Sequence, residues 1–376
     1  MNQNPVKKIL FLLEVSPSQG AQRYVYDIVT HLDREQYQPM VLTYQKNSLI
    51  TQLSHAEIPV IYVTNTSQTT SWHDLANVLK HEAPDILHIV GNKPYSFATL
   101  IARRYFIRRI IFTPFGLINQ PGSYWQKIKT KLYSWASAQL AHTTIAVSRT
   151  ALQQFASLKA GKKCTLIHPA RNIGVMYTHQ EARDVLVKII PQLQICSSNQ
   201  YTWLVSITEL RADRQIETVL RSVKSLLVHN PKLRYIIIGD GAEQNKLNQL
   251  ITELKLTNHV FLSGFIPDAA RLLHAFNYFI LPTKTEAYCY AVHEAGLARL
   301  PVISSDRGGI RDIVIHNKSG LLLNKVTTET ITDVLQSLIS DRTKTESLRH
   351  HLQQSMKNRS FTKMMSATTN TYHYPN

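Results

Sequence analysis

Hydrophobic residues along this chain follow two alternating rhythms. They run almost unbroken through KKILFLLEV at 7–15, DILHIV at 85–90 and RRIIFT at 108–113, the pattern of strands buried on both faces. YQPMVLTY at 37–44, IPVIYV at 58–63, HTTIAV at 142–147 and KCTLIHP at 163–169 read as further strands. Between them, segments 20–32, 71–82, 94–105 and 149–158 space their apolar positions three and four apart, which predicts helices. The alternation then restarts. YTWLVSI at 201–207, LRYIIIGD at 233–240, HVFLSGF at 259–265, YFILP at 278–282 and LPVISS at 300–305 are expected strands, with helices over 214–229, 242–253, 290–298 and 326–340. The expected fold class is α/β, two doubly wound Rossmann-like units in tandem, each binding ligands at the carboxyl ends of its strands.

The pattern also suggests boundaries. Residues 1–172 form a first unit and 201–342 a second. Residues 173–200 lose their periodicity and are expected as linker and edge material. The segment 343–376 has sparse apolar residues among Lys, Arg, His and Ser, and is expected as a helical tail that returns to the first unit and frays at its end. A length of 376 residues suits two domains. No apolar run reaches the roughly 20 residues that span a bilayer. The opening MNQNPVKKILFLLEVSPSQGAQR is interrupted by Glu14 too early for a secretory signal, so a cytoplasmic location is expected, at most peripheral on the inner face of a membrane. Cys164, Cys196 and Cys289 are too scattered for a disulfide framework or a zinc site and are expected as buried thiols.

Charge changes the picture. The net charge is +17, and no acidic residue occurs between Asp85 and Glu181. Lys93, Arg103, Arg104, Arg108, Arg109, Lys127, Lys129, Lys131, Arg149, Lys159, Lys162, Lys163 and Arg171 all fall inside that gap. Such a field suits an anion: a phosphorylated substrate, an anionic membrane surface or nucleic acid, each basic residue near lipid contributing about 1 kcal/mol. A generally basic proteome would produce the same excess. Nucleic acid is not the expected partner, because no aromatic platform or reading helix accompanies the charge. Within the gap, Trp125, Ile128, Leu132, Tyr133, Trp135 and Leu140 interleave with the three lysines in a stretch of helical character. It reads either as a helix lying in lipid headgroups or as an ordinary surface helix that packs Trp135 and Leu132 on the core.

The densest chemistry lies in TKTEAYCYAVHEAGLARLPVISSDRGGIRDIV, residues 283–314. Glu286 falls in the loop after the strand YFILP, and Glu294 in the helix beyond that loop. A carboxylate accepts two hydrogen bonds from a vicinal diol, so one can hold a ribose and the other the hydroxyls of a sugar. The helix start between them, Tyr290, Ala291 and Val292, offers backbone N–H groups to a diphosphate. Two exposed glutamates near a helix would leave the same trace in a sequence.

This segment resembles the signature of the family 4 glycosyltransferases, retaining enzymes of the GT-B fold that use nucleotide-sugar donors. LRYIIIGDGAEQNKLNQLITELKLTNHVFLSGFIPD at 233–268 is similar to the family's Gly-Asp-Gly turn and Gly-Phe loop, here Gly264 and Phe265, where the base rests on backbone groups. WLVSITELRADRQIETVL at 203–220 resembles its loop carrying a cation against the diphosphate, with Arg214 in that place. SPSQGAQRYVYDI resembles the Gly-rich loop that opens the first helix, with Gly20 near the donor. The resemblance implies two GT-B units facing across a cleft, donor on the second and acceptor on the first. It assigns Glu286 and Arg214 to catalysis, Arg214 and Arg211 to the diphosphate, and Glu294 to the ribose hydroxyls. It further implies a UDP- or GDP-sugar donor, a hexosyl group, and a glycan or lipid-linked acceptor of the cell envelope. No Asp-x-Asp motif is present and metal independence is expected, fixed cations and helix dipoles stabilising the leaving group.

Three positions depart from the family pattern. Phe115 stands where a His commonly hydrogen-bonds the transferred sugar, and a phenyl ring has no such group. Gln19 replaces the first of two glycines, which matters if that position needs a positive φ. Glu209 stands where an Arg is usual, with Arg211 close enough to compensate. They keep open a second reading, a protein of this fold that binds with weak or no turnover.

Overall fold

The computed structural model describes residues 5–13, 19–44, 48–63, 72–91, 96–118, 123–158, 163–198 and 200–373. The chain divides into two compact units, Met1–Ala170 with Phe361–Asn376, and Arg171–Ser360.

The first unit is built on seven parallel strands: β1 (Lys7–Leu13), β2 (Tyr37–Thr43), β3 (Val60–Tyr62), β4 (Ile86–Gly91), β5 (Arg109–Pro114), β6 (Thr143–Ala146) and β7 (Cys164–Leu166). Their order is β3-β2-β1-β4-β5-β6-β7, so the direction of winding reverses between β1 and β4. The unbroken apolar run of β1 has its reason here: Ile9 to Leu13 are all fully buried, covered on both faces. The connecting helices are α1 (Gln19–His31), α2 (Ser48–His55), α3 (Trp72–Glu82), α4 (Ser96–Arg104), α5 (Tyr124–Leu140) and α6 (Arg149–Ser157). In α1, Tyr24, Val25, Ile28 and Val29 recur at helical spacing and are buried.

The second unit opens with α7 (His179–Ile189) and continues through β8 (Thr202–Ile207), α8 (Ile216–Leu226), β9 (Leu233–Ile238), α9 (Gln244–Glu253), β10 (Val260–Gly264), β11 (Tyr278–Leu281), α10 (Tyr290–Leu297), β12 (Val302–Ser305), α11 (Ile310–Ile313), β13 (Leu321–Leu323), α12 (Thr328–Ser340) and α13 (Arg342–Lys357). Its six parallel strands lie in the order β10-β9-β8-β11-β12-β13, with the reversal between β8 and β11. The core runs from Leu204 and Tyr235 on the sheet to Val219, Leu250, Leu335 and Leu348 on the covering helices. Both units are doubly wound and Rossmann-like.

Three segments differ from expectation. Residues 173–200, expected as linker, lie within the second unit, where α7 carries a capping box of Thr178 and Glu181 and packs on the 3-10 segment Ala269–Ala275. Residues 343–360 stay with the second unit, because Leu348, Leu352 and Met356 of α13 are buried there. Only α14 (Phe361–Asn370) and the residues after it belong to the first unit, where Tyr372 anchors the described part of the tail. Tyr372 is fully buried, its hydroxyl 2.8 Å from His88 Nδ1, while His88 Nε2 lies 2.7 Å from Thr113 Oγ1. Cys196 and Cys289 are buried free thiols and Cys164 a half-buried one. Among the described residues no helix is long and apolar enough to cross a membrane.

Candidate active site

Every strand of the second sheet points the same way, so the loops after β8, β9, β10, β11 and β12 leave from one edge. The loop after β8 is pressed against the Gly239-Asp240-Gly241 turn. Leu210 N donates to Asp240 O at 2.7 Å, and Glu243 N to Leu210 O at 3.0 Å. A Cβ on Gly239 would stand 1.9 Å from the Thr208 carbonyl oxygen, at a φ of +140°. The glycine is therefore there to let two backbones touch, and with it the loop carrying Arg214 is seated.

Arg214 ends the 3-10 turn Ala212–Arg214, and Gln215 beyond it takes a left-handed conformation with φ 52°. Lys284 N donates to Asp213 O at 2.9 Å, which joins this turn to the loop after β11. Across that junction Arg214 Nη1 donates to Glu286 Oε2 at 2.5 Å and to Thr283 Oγ1 at 3.2 Å. The two charged side chains are 17% and 15% exposed. Burial works against the Arg214 charge, but the Glu286 carboxylate, by charge and by hydrogen bond, outweighs it and holds the pKa above its ordinary value. Glu286 is fixed from behind as well, since Gly309 N donates to its carbonyl at 3.2 Å. Thr283 is clamped to Ser305 twice, accepting at its carbonyl at 2.6 Å and donating from its N–H at 3.0 Å.

Glu294 projects from the middle of α10, and its Oε1 accepts from Arg171 Nη1 at 2.6 Å with both side chains 8% exposed. Cys289 lies where both carboxylates act. Burial pushes its thiol up to about 12, the carboxylates of Glu286 and Glu294 add to that, and Arg214 opposes it. Glu286 lies three residues before Cys289 and Glu294 five residues after it, and Arg214 is hydrogen-bonded to the first of the two. Cys289 does not cap α10 with its side chain, and the first turn is Tyr290 and Val292, buried, with Ala291 half-buried. His293 is fully buried, its ring 6.1 Å from that of Tyr288, and so turns to the interior.

The other expected residues fall in several places. Arg211 grips Asp213 with Nε and Nη2, each at 3.0 Å, and reaches Glu209 at 3.5 Å, so its guanidinium is engaged two residues along its own loop. Gly264 ends β10 with φ 73°, and Phe265 beyond it is half exposed. Gly20 belongs to the other unit, where Gln19 and Gly20 open α1 without a positive φ, while residues 14–18 lie outside the described residues. Phe115, at the carboxyl end of β5, is buried with its ring 4.9 Å from that of Tyr24. Among the described residues no group of three or more His, Cys, Asp or Glu could hold a metal ion.

Arg171 is the partner of Glu294, and its sequence context does not single it out. Along the chain it is only one cation in the acid-free stretch, yet it meets Glu294 across 123 positions. The signal is indirect: a carboxylate on a buried helix face needs a cation, and the sequence does not say which. Together, the Arg214–Glu286 pair, the helix start that follows β11 and the Arg171–Glu294 pair further along that helix offer cations to an anionic group and acceptors to hydroxyls.

Comparison with known proteins shows the family and the fold. Residues 18–174 match the family described as Glycosyltransferase Family 4, and residues 197–359 match Glycosyl transferases group 1. The 2-deoxystreptamine N-acetyl-D-glucosaminyltransferase of Niallia circulans is 30% identical over 32% of this chain, a match spanning only 31% of that enzyme's length. The N-acetyl-alpha-D-glucosaminyl L-malate synthase of Bacillus anthracis is 23% identical over 71% of this chain and 68% of its own. In fold, the chain resembles HepE of Anabaena, solved with UDP and glucose, at a TM-score of 0.82 and 20% identity over 97% of this chain and 99% of that one.

Proposed function

Because the chain belongs to the family 4 glycosyltransferases, we propose that it moves a hexosyl group, with retention, from a UDP- or GDP-sugar to a glycan or lipid-linked acceptor of the cell envelope. The observation that carries this reading is the pairing of Arg214 with Glu286 of the loop after β11, with Glu294 on the helix that follows that loop. In the proposed complex the diphosphate takes the Arg214 guanidinium and the first-turn N–H groups of α10, whose positive ends stabilise the departing phosphate without a metal. Glu286, released from Arg214, accepts a hydroxyl of the transferred sugar, and Glu294 accepts from the ribose. The leaving phosphate itself deprotonates the acceptor, so no protein base is assigned. Support for the nucleotide comes from relatives: HepE has been solved with UDP-glucose, and a similar mannosyltransferase of Mycolicibacterium smegmatis is GDP-mannose-dependent.

The experiment is thermal unfolding against a panel of UDP- and GDP-sugars, followed by mass spectrometry of donor and lipid extract with and without chelator. At least one donor should raise the unfolding temperature, Glu294→Gln should abolish that rise, and chelator should leave turnover intact. Indifference to every nucleotide and nucleotide sugar would contradict the proposal. A second reading, binding without turnover, is favoured by Phe115, whose ring packs on Tyr24 and offers no hydrogen bond to a sugar. Measurable donor consumption removes it.

A further inference from the structure

Helix α5 is turned the opposite way from an ordinary surface helix. Its buried residues are small, Ser134, Ser137 and Ala138. Its large apolar residues face outward: Trp125 is 69% exposed, Leu132 56% and Trp135 43%, with Tyr124 and Ile128 exposed beside them. At about 100° per residue, these five share an arc of about 100° on the side away from the buried three. Lys129 and Lys131 border the arc on either side, with Lys127 next to Lys131, and all three are exposed. Packing of Trp135 and Leu132 on the core, the ordinary alternative, is therefore not what this helix does.

The helix is well formed in this orientation. Ser123 and Gln126 close a capping box, Gln126 N donating to Ser123 Oγ at 3.3 Å and Ser123 N to Gln126 Oε1 at 2.9 Å. Its far end is tied to α4, where Arg103 Nε donates to the Leu140 carbonyl at 2.9 Å. Phe106, just beyond α4, is 85% exposed.

We propose that this face of α5 docks on an anionic lipid bilayer, with its aromatic and aliphatic arc in the headgroup boundary and its lysines on the lipid phosphates. Charge complementarity selects this occupant. No acidic residue lies between Asp85 and Glu181, so nothing on α4, α5 or α6 repels an anionic surface. The same composition disfavours a second copy of the chain, since two such faces would bring lysines together with no carboxylate between them. Nucleic acid would leave the apolar arc exposed to water. Tryptophan, tyrosine and lysine around an apolar stripe are what a helix lying in a membrane interface uses. Because α5 follows β5, its first turn lies at the carboxyl edge of the first sheet, so docking would bring that edge toward the lipid. This deepens the proposal of a lipid-linked acceptor but is tested without donor or turnover.

The test is co-sedimentation of the full chain with phosphatidylcholine vesicles, with and without phosphatidylglycerol, over a range of salt. The chain should bind the anionic vesicles, bind the neutral ones far less, and release as salt rises. Lys127→Gln, Lys129→Gln and Lys131→Gln together should weaken partition by about a hundredfold, each lysine being worth roughly a factor of five. Ile128→Ser with Leu132→Ser should also lose binding. Both variants change exposed side chains and should keep the parent unfolding temperature. The proposal is overturned by absence of binding to phosphatidylglycerol vesicles, or by variants that bind as the parent does. It is equally overturned if Ile128→Ser with Leu132→Ser abolishes a concentration-dependent dimer, or if RNA or DNA binds the chain and that same variant abolishes the binding.

Discussion

Replacing Arg214 by methionine separates what this side chain does for the fold from what it does for the ligand. The guanidinium is 2.5 Å from Glu286 Oε2, and both side chains are about five-sixths buried, so its removal strands a carboxylate in a poorly solvated place. Breaking a fully buried pair costs about 3–5 kcal/mol, and the residual exposure here brings the expected loss to about 2–4 kcal/mol. Glu286→Gln keeps an oxygen acceptor for Arg214, which still has Thr283 Oγ1, and should lose only about 1–2 kcal/mol. The two variants should diverge in calorimetric titration with UDP. Losing charge-assisted hydrogen bonds of about 1.5–3 kcal/mol makes Arg214→Met bind about tenfold to a hundredfold more weakly. Glu286→Gln removes the charge that competes for the guanidinium, leaving only a neutral acceptor, and should bind UDP at least as well as the parent, yet fail to consume donor. Parent-like UDP affinity in Arg214→Met would refute the assignment, as would equal weakening in both variants.

Burial lowers the His88 pKa from 6.5 to about 3. The unfolded chain takes up that proton near pH 6.5 and the folded one does not, so this contribution is complete above pH 6.5 and declines as pH falls toward 3. The decline should be about 2 kcal/mol between roughly pH 7 and 5, and urea titrations of His88→Gln should show a flatter slope there. Tyr372→Phe removes the partner of His88 Nδ1 and should cost about 1–3 kcal/mol in the same titration. Gly239→Ala puts a Cβ 1.9 Å from the Thr208 oxygen, and loss of at least about 3 kcal/mol, or no soluble protein, is expected.

The sheets were legible because strands covered on both faces leave unbroken apolar runs, as in KKILFLL, which no helix masks. Helix α7 was not, because one of the three residues it buries, alongside Ala182 and Leu186, is charged. Arg183 is 1% exposed, satisfied by the carbonyls of Ser197 and Ser198 at 2.9 and 2.8 Å and stacked 4.4 Å from the Trp203 ring. The anchoring of the tail leaves no local trace for a related reason: Tyr372 is one aromatic in a polar segment, and its partner His88 is 284 positions away. At the candidate site, Glu286, Glu294 and Arg214 could be named from local motifs. Arg171 could not, because a motif records neighbours in the chain and the Glu294 pair is made in space. In α5 the sequence shows a basic stretch of helical character but not which face the chain covers, since that depends on the room left beside α4 and α6.

We propose that a nucleotide sugar seats at the carboxyl edge of the second sheet, against Arg214, Glu286 and Glu294. Hydrogen exchange followed by mass spectrometry, with and without a saturating UDP- or GDP-sugar, tests it most directly. Slowed exchange in 208–215 and 283–294, absent in Glu294→Gln, is the predicted result. Ligand binding with those two segments unchanged would contradict it.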